Sequence, residues 1–181
     1  LKYIKNYFNK CNNITVIGGG LLGLEAAWSL TKLGKNVSIV EFAPYLLPKQ
    51  LDEELANKLK DKLVRKGFNI YLSSAADEIL GKEQVDGILL NNGQILKSDG
   101  VLFSVGIRPN IDLVRDTPIA FDKGVIVNKY LETNIENIYA AGDVIELDGR
   151  IIGLWTSANE QGKIAGANMS GKTLEYTEPK L

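Results

Sequence analysis

Gly18, Gly20 and Gly23 stand at the spacing G-x-G-x-x-G, and Glu41 follows at about the twenty-residue distance that a dinucleotide fold uses. Gly18 permits a tight turn, Gly20 lets the backbone approach a pyrophosphate, and Gly23 lets a helix pack closely on a strand. The helix that starts there turns its N–H groups and the positive end of its dipole toward the phosphates. A carboxylate at Glu41 can accept both ribose hydroxyls of an adenosine, and it would repel a 2′-phosphate. The nearest following base, Lys49, lies beyond Pro44 and Pro48, so no Arg clamp for such a phosphate is present and NADH is favoured over NADPH. Glu25, two residues past Gly23, has two readings: a group near the nicotinamide end of a dinucleotide, or an acid that serves the helix dipole.

A second glycine motif competes with the first. GANMSGKT, residues 166–173, fits G-x-x-x-x-G-K-S/T, the phosphate loop of nucleotide triphosphatases. A working loop of that kind lies between a buried strand ending at its first glycine and a helix starting at Lys-Ser/Thr. Here SANEQGKIA upstream is helix-like and rich in small residues, and LEYTEPKL downstream soon meets Pro179. Gly166 is therefore expected inside a helix as a close-packing residue, Gly171 as its stop, and Lys172 as a solvated base.

The elements that must position the first motif follow from periodicity. Residues 3–10 carry Tyr3, Ile4, Tyr7 and Phe8 at helical spacing, a short amphipathic lead-in. ITVIGGG is a buried strand that runs into a glycine turn. LLGLEAAWSLTKL, 21–33, is a helix with Leu22, Ala26, Leu30 and Leu33 on one face and Gly34 as its stop. NVSIVE, 36–41, is the next strand. Leu51, Leu55, Leu59 and Leu63 then mark a helix with acids in its first turn and bases in its last, and FNIYL, 68–72, is the third strand. This β-α-β-α-β order implies a parallel sheet. AADEIL, VDGILL and QILKSD form a three-stranded antiparallel meander with a turn at Asn91-Asn92-Gly93, and GVLFSVG, 100–106, returns as a buried strand. A boundary is placed near Arg108. Beyond it come short strands over 119–130, another strand at Ile138–Ala141 ending in Gly142-Asp143, and a helix from about Trp155-Thr156 to Met169. Ala158, Gly162, Ala165 and Gly166 give that helix one very small face.

Composition narrows the function class. The chain has 181 residues, 45% hydrophobic and 24% charged, with a net charge of −1, so it offers no basic field for nucleic acid or anionic lipid. With no histidine and one cysteine, Cys11, it excludes Ser-His-Asp chemistry, His-ligated metal sites and an internal disulfide. Chemistry here falls to carboxylates, backbone dipoles or a cofactor. No stretch approaches membrane-spanning length. LKYIKNYFNK has no signal-peptide core and the first residue is Leu, which leads to the expectation of a cytoplasmic piece of a longer protein.

VIGGGLLGLEAA (16–27), VEFAPYLLPKQLDEELA (40–56), SVGIRPN (104–110) and TNIENIYAAGDV (133–144) occur in an order that resembles the FAD-dependent pyridine nucleotide–disulfide oxidoreductase superfamily. The chain looks most like its branch of rubredoxin reductases, flavoprotein parts of nitrite reductases, and NADH oxidases. The resemblance implies an α/β fold in three parts: a lead-in helix (1–11), a Rossmann-like NADH-binding domain with its flanking meander (12–107), and the C-terminal part of an FAD-binding domain (108–181). It implies Gly18, Gly20, Leu21, Leu22 and Gly23 as the pyrophosphate loop, Glu41 on the adenosine ribose, and Glu25 and Gly106 toward the nicotinamide. Gly142 and Asp143 would hold a ribitol hydroxyl of FAD, and the helix starting at Trp155 and Thr156 would face the flavin pyrimidine edge. The implied reaction passes hydride from NADH to FAD and then electrons to an acceptor, a small electron-carrier protein such as rubredoxin or a nitrite-reducing module. Departures from the family pattern are a single dinucleotide fingerprint and a Cys11 that matches no redox cysteine. A chain with this content is expected to bind FAD poorly and not to turn over by itself. The competing expectation is a stand-alone NAD-binding module without flavin.

Overall fold

The computed structural model describes residues 2–178, in two compact units, the first ending at Gly106 and the second starting at Ile107. The Tyr3 side chain and Pro179, both used in the sequence reading, lie outside the described residues. No helix among the described residues is long and apolar enough to cross a membrane.

In the first unit, β1 (Asn13–Ile17), β2 (Asn36–Val40), β3 (Asn69–Tyr71) and β7 (Gly100–Phe103) form one parallel sheet in the order β3-β2-β1-β7. Ile14, Val16, Val37 and Ile39 are buried in the core. Their near-continuous apolar runs are what a parallel sheet covered on both faces requires. Register places Ile17 beside Val40 on one side and Phe103 on the other. The central strands therefore end together, at the edge where the glycine turn begins.

α1 (Lys2–Lys10) packs Phe8 against this core, and α2 (Leu21–Lys32) lies on the sheet. The face expected for α2 is corrected: Gly23, Ala27 and Leu30 are buried, whereas Leu22 is 73% and Leu33 64% exposed. A Cβ on Gly23 would come within 2.1 Å of the Gly18 carbonyl oxygen. Helix and turn touch backbone to backbone at Gly23, so a small residue faces inward there, Leu30 keeps the expected buried place, and Leu22 and Leu33 turn outward.

α3 (Glu53–Val64) starts two residues later than the leucine repeat predicts, because Asp52 caps it, its Oδ1 accepting the Leu55 N–H at 2.8 Å. Leu55 is 50% exposed, and Ala56 is buried instead. Each four-residue step overshoots a full turn by about 40°, so a strict i, i+4 leucine series winds off the buried face. β4 (Ala76–Leu80), β5 (Gly87–Leu90) and β6 (Ile95–Lys97) make the expected antiparallel meander, closed at Asn91-Asn92-Gly93 by Leu90 N–H donating to the Gln94 carbonyl at 2.8 Å.

In the second unit, β8 (Val125–Val127) and β9 (Ile145–Leu147) pair in parallel, and α4 (Trp155–Met169) is its helix. The strand expected at Ile138–Ala141 is not one. That segment keeps a single isolated bridge, Glu132 to Tyr139, and turns back on residues 131–133 through Ala140 N–H to the Leu131 carbonyl. The ladder instead forms after the Gly142 turn. Glu146, buried on β9, accepts the Lys123 and Gly124 amides at 2.9 and 3.2 Å and so fixes the Asp-Lys-Gly turn.

The small face expected for α4 is corrected as well. Ser157, Gln161, Ala165 and Asn168 are buried, while Gly162 and Gly166 are exposed and a Cβ on either would meet nothing within 4 Å. Polar side chains with hydrogen bonds to make, such as Asn168 to Tyr130 and Leu174, decide which side turns inward. The helix ends as a Schellman cap: Gly171 is left-handed at φ 89°, its N–H donates to Asn168, and the Lys172 N–H donates to Ala167. GANMSGKT is thus a helix end, with neither the strand before it nor the helix after it that a phosphate loop needs.

Candidate functional site

The ends of β1, β2 and β7 open into a groove of about 620 Å³, all of whose lining residues belong to the first unit. Gly18 turns the chain at φ 111°, and a Cβ there would strike the Ser104 carbonyl oxygen at 2.2 Å. Only glycine combines that conformation with that proximity. Gly20 is the N-cap of α2 and offers no side-chain cap, so the first-turn N–H groups, those of Leu21, Leu22 and Gly23, have no capping acceptor. A Cβ on Gly20 would meet nothing within 4 Å. The turn therefore presents an uncapped helix N-terminus and open space in front of it, the arrangement that receives an anionic group.

Glu41 follows the last residue of β2 and lines the same groove, half-buried. Its Oε2 accepts the Gly19 amide, and its Oε1 accepts the Ala43 amide at 2.7 Å. Its own main chain is tied on both sides, N–H to the Tyr71 carbonyl at 2.8 Å and carbonyl to the Ser74 N–H at 3.0 Å. Gly19 in turn accepts the Leu47 N–H at 3.1 Å, with Leu47 left-handed at φ 54°. Both peptide groups of Gly19 thus tie the glycine turn to the segment that follows Glu41.

Gly106, left-handed at φ 83°, lines the groove at the end of the β7 segment, and Leu21 and Leu22 line it from α2. Glu25 is exposed one turn further along α2 and is not among the lining residues; its carbonyl accepts the Ser29 hydroxyl. The remaining predicted residues lie in the second unit. Gly142, at φ 88°, donates its N–H to the buried Gln161 Oε1 at 2.8 Å, Asp143 is exposed beside it, and Trp155 and Thr156 begin α4, whose N-cap Leu154 supplies no side-chain cap.

The sequence does not single out several residues that the structure brings to the site. Gly19 lies in the turn beside the groove, where a Cβ would be 2.7 Å from Leu46 Cδ2 and 3.0 Å from Glu41 Oε2; the run of three consecutive glycines is its signal. Phe42, 79% exposed, and Gln50 line the groove. So does Lys49, set aside above because two prolines separate it from Glu41.

A second cleft, of about 550 Å³, lies between the end of α1 and the β4–β5 loop. The Asp99 carboxylate there is engaged by the Asn12 and Asn13 amides, and the Cys11 thiol donates to main-chain carbonyls. Burial, with the Asp99 charge adding to it, pushes the Cys11 thiol pKa up, away from nucleophilic chemistry.

A parallel β3-β2-β1-β7 sheet, a glycine turn into an uncapped helix, and a carboxylate at the end of the neighbouring strand define a dinucleotide-binding α/β protein. Residues 2–162 match the pyridine nucleotide-disulphide oxidoreductase family, and the chain belongs to it. It is 40% identical over 163 residues to the NADH-rubredoxin oxidoreductase of Clostridium acetobutylicum, covering 90% of this chain and 40% of that protein. It is also 40% identical over 156 residues to the NAD(P)H nitrite reductase of Bacillus subtilis, covering 86% of this chain and 19% of that one. The crystal structure of the C. acetobutylicum NADH:rubredoxin oxidoreductase superposes with a TM-score of 0.78 at 37% identity, covering 99% of this chain and 44% of that one. An NAD-dependent persulfide reductase from A. fulgidus gives 0.85 at 29% identity, covering 97% and 34%. The chain spans less than half the length of these relatives.

Proposed function

We propose that this chain is the NADH-binding domain and the C-terminal part of the FAD-binding domain of a flavoprotein that passes hydride from NADH to FAD, and electrons onward to a small electron-carrier protein or a nitrite-reducing module. The observation that carries the reading is Glu41, held at the mouth of the groove by the same glycine turn that leaves the α2 N-terminus open. Rubredoxin and nitrite, already implied by the resemblance of the sequence motifs, also stand in the names of two relatives at 40% identity.

The residues present fit a dinucleotide. First-turn N–H groups of α2 would hold pyrophosphate oxygens, and Gly20 leaves the backbone bare for their approach. Each Glu41 oxygen accepts one amide and keeps a lone pair for a ribose hydroxyl. Gly106 would line the nicotinamide side, and Glu25, outside the groove lining, would stand toward the nicotinamide. In the second unit the Asp143 carboxylate would accept a ribitol hydroxyl. The uncapped first turn of α4, at Trp155 and Thr156, would face the flavin pyrimidine edge with N–H donors. The bound flavin supplies the redox chemistry by taking hydride and releasing electrons, and the protein supplies alignment and field.

A second reading, a stand-alone NAD-binding module, is favoured by one observation: every residue lining the groove precedes Ile107. Stopped-flow spectroscopy of the full-length protein separates the two. The flavoprotein reading expects flavin absorption that NADH bleaches, NADH being preferred to NADPH, and that rubredoxin or a nitrite-reducing module restores. A colourless protein that binds NADH leaves the binding module. Glu41→Gln, which places an NH2 group against a main-chain N–H donor, is expected to slow the NADH step and spare reoxidation.

A further inference from the structure

Leu47 grips the glycine turn from outside the groove lining. It is left-handed at φ 54° although it carries a Cβ, and Pro48 follows it, a neighbour that pushes the preceding residue toward extended backbone. A leucine keeps such a conformation only where its surroundings over-determine it, and residues held in this way gather at ligand sites. Here three main-chain hydrogen bonds hold it. The Leu47 N–H donates to the Gly19 carbonyl at 3.1 Å, and the Leu47 carbonyl accepts the Gln50 and Leu51 N–H groups at 2.9 and 3.0 Å, closing a turn with Pro48 in its second position.

The first of these bonds controls a peptide plane. The Gly19 carbonyl belongs to the Gly19–Gly20 peptide, which is trans and planar, so fixing its oxygen on Leu47 turns the Gly20 N–H the opposite way. Gly20 lines the groove, and its N–H meets no acceptor among the described residues. Glycine on both sides gives this peptide little resistance of its own to flipping. Flipped, it would set a carbonyl oxygen against an incoming phosphate in place of a donor. The Gly19 N–H that Glu41 accepts belongs to the preceding peptide and is untouched by the flip.

Resting on the dinucleotide reading above, we propose that Leu47 is a positioning residue for the pyrophosphate. Its left-handed backbone keeps the Gly19–Gly20 peptide in the orientation that offers phosphate a donor and withholds an acceptor. What the position demands is tolerance of φ 54° with the N–H kept, so the leucine side chain is secondary.

The test is titration of the full-length protein with ADP-ribose, which carries the pyrophosphate but no nicotinamide, and with adenosine, which carries the ribose but no phosphate. Four forms are compared: wild type, Leu47→Val, Leu47→Asn and Leu47→Gly. Valine, branched at Cβ, resists the left-handed region, whereas Asn and Gly accept it. Leu47→Val is expected to weaken ADP-ribose about tenfold and adenosine less than about twofold, while Leu47→Asn and Leu47→Gly stay within about twofold of wild type for both. A merely structural role would strike both ligands and follow lost side-chain volume, with Leu47→Gly the worst. That pattern would overturn the proposal, as would Leu47→Val with unchanged ADP-ribose affinity. Should Leu47→Val not fold, the other two variants decide, and a tenfold loss of ADP-ribose in either would overturn it as well. Wild-type protein that binds neither ADP-ribose nor NADH would remove the dinucleotide reading itself, and this inference with it.

Discussion

The amide of Gly19 donates to Oε2 of Glu41, 22 residues further along the chain. That bond joins the turn after β1 to the end of β2, so the residue assigned to the ribose also sets the shape of the loop assigned to the phosphates. The groove is organised before any ligand enters, which lowers the ordering cost of binding.

Gly19→Ala places a methyl group 2.7 Å from Leu46 Cδ2 and 3.0 Å from Glu41 Oε2. Overpacking of this kind costs about 1–3 kcal/mol. We expect thermal unfolding to shift down by about 2–4 °C per kcal/mol, together with weaker NADH binding. Calorimetry and a titration on one preparation check both effects. An unchanged melting temperature would show that Glu41 and Leu46 yield freely.

Gly20 and Gly23 separate binding from folding. A Cβ at Gly23 would meet the Gly18 carbonyl oxygen at 2.1 Å, whereas at Gly20 it meets no protein atom within 4 Å. Gly23→Ala is expected to destabilise the first unit by about 1–3 kcal/mol. Gly20→Ala is expected to keep the wild-type melting temperature and lose dinucleotide affinity, because its methyl fills ligand space. Denaturant unfolding followed by NADH titration distinguishes them.

Lys172→Ala tests the rejected phosphate loop. Lys172 follows a Schellman cap and is exposed. Mg-ATP binding is expected to be absent in the wild type and in the variant alike, measured by titration calorimetry. Binding abolished by the substitution would reinstate the triphosphatase reading.

Cys11 gives a pH prediction. Burial, then the Asp99 charge, raises its thiol pKa in the fold. A folded-state pKa above the unfolded value makes a contribution that is whole below the ordinary thiol pKa and is lost as pH climbs through the raised one. Stability is therefore expected to fall on the alkaline side of the ordinary thiol range, and Cys11→Ser should flatten that fall. At pH 8 a thiol reagent should leave the native chain untouched and label its one cysteine after unfolding.

Where side-chain pattern and backbone demand coincide, the sequence was readable. The glycine turn, the parallel sheet and the meander all follow from apolar runs broken by residues with special backbone freedom. The faces of α2 and α4 differ from the sequence expectation for two different reasons. Hydrophobicity alone ranks Leu22 above Gly23 and Ala27, but contact at backbone distance admits only the small residues. On α4 the hydrogen bonds of Gln161 and Asn168 outweigh the small stripe.

The sequence by itself determined that a glycine turn joins a strand to a helix with an acid at the next strand's end, because spacing and residue type alone limit what those backbones can do. Membership of the family was legible once SVGIRPN and TNIENIYAAGDV were added to that motif, in their order along the chain. Only the tertiary structure decided that Gly19 binds Glu41 through one peptide group and Leu47 through the other. Lys49 returns to the groove for that reason. Separation along the chain is not separation in space once a left-handed residue and two main-chain hydrogen bonds fold the segment back.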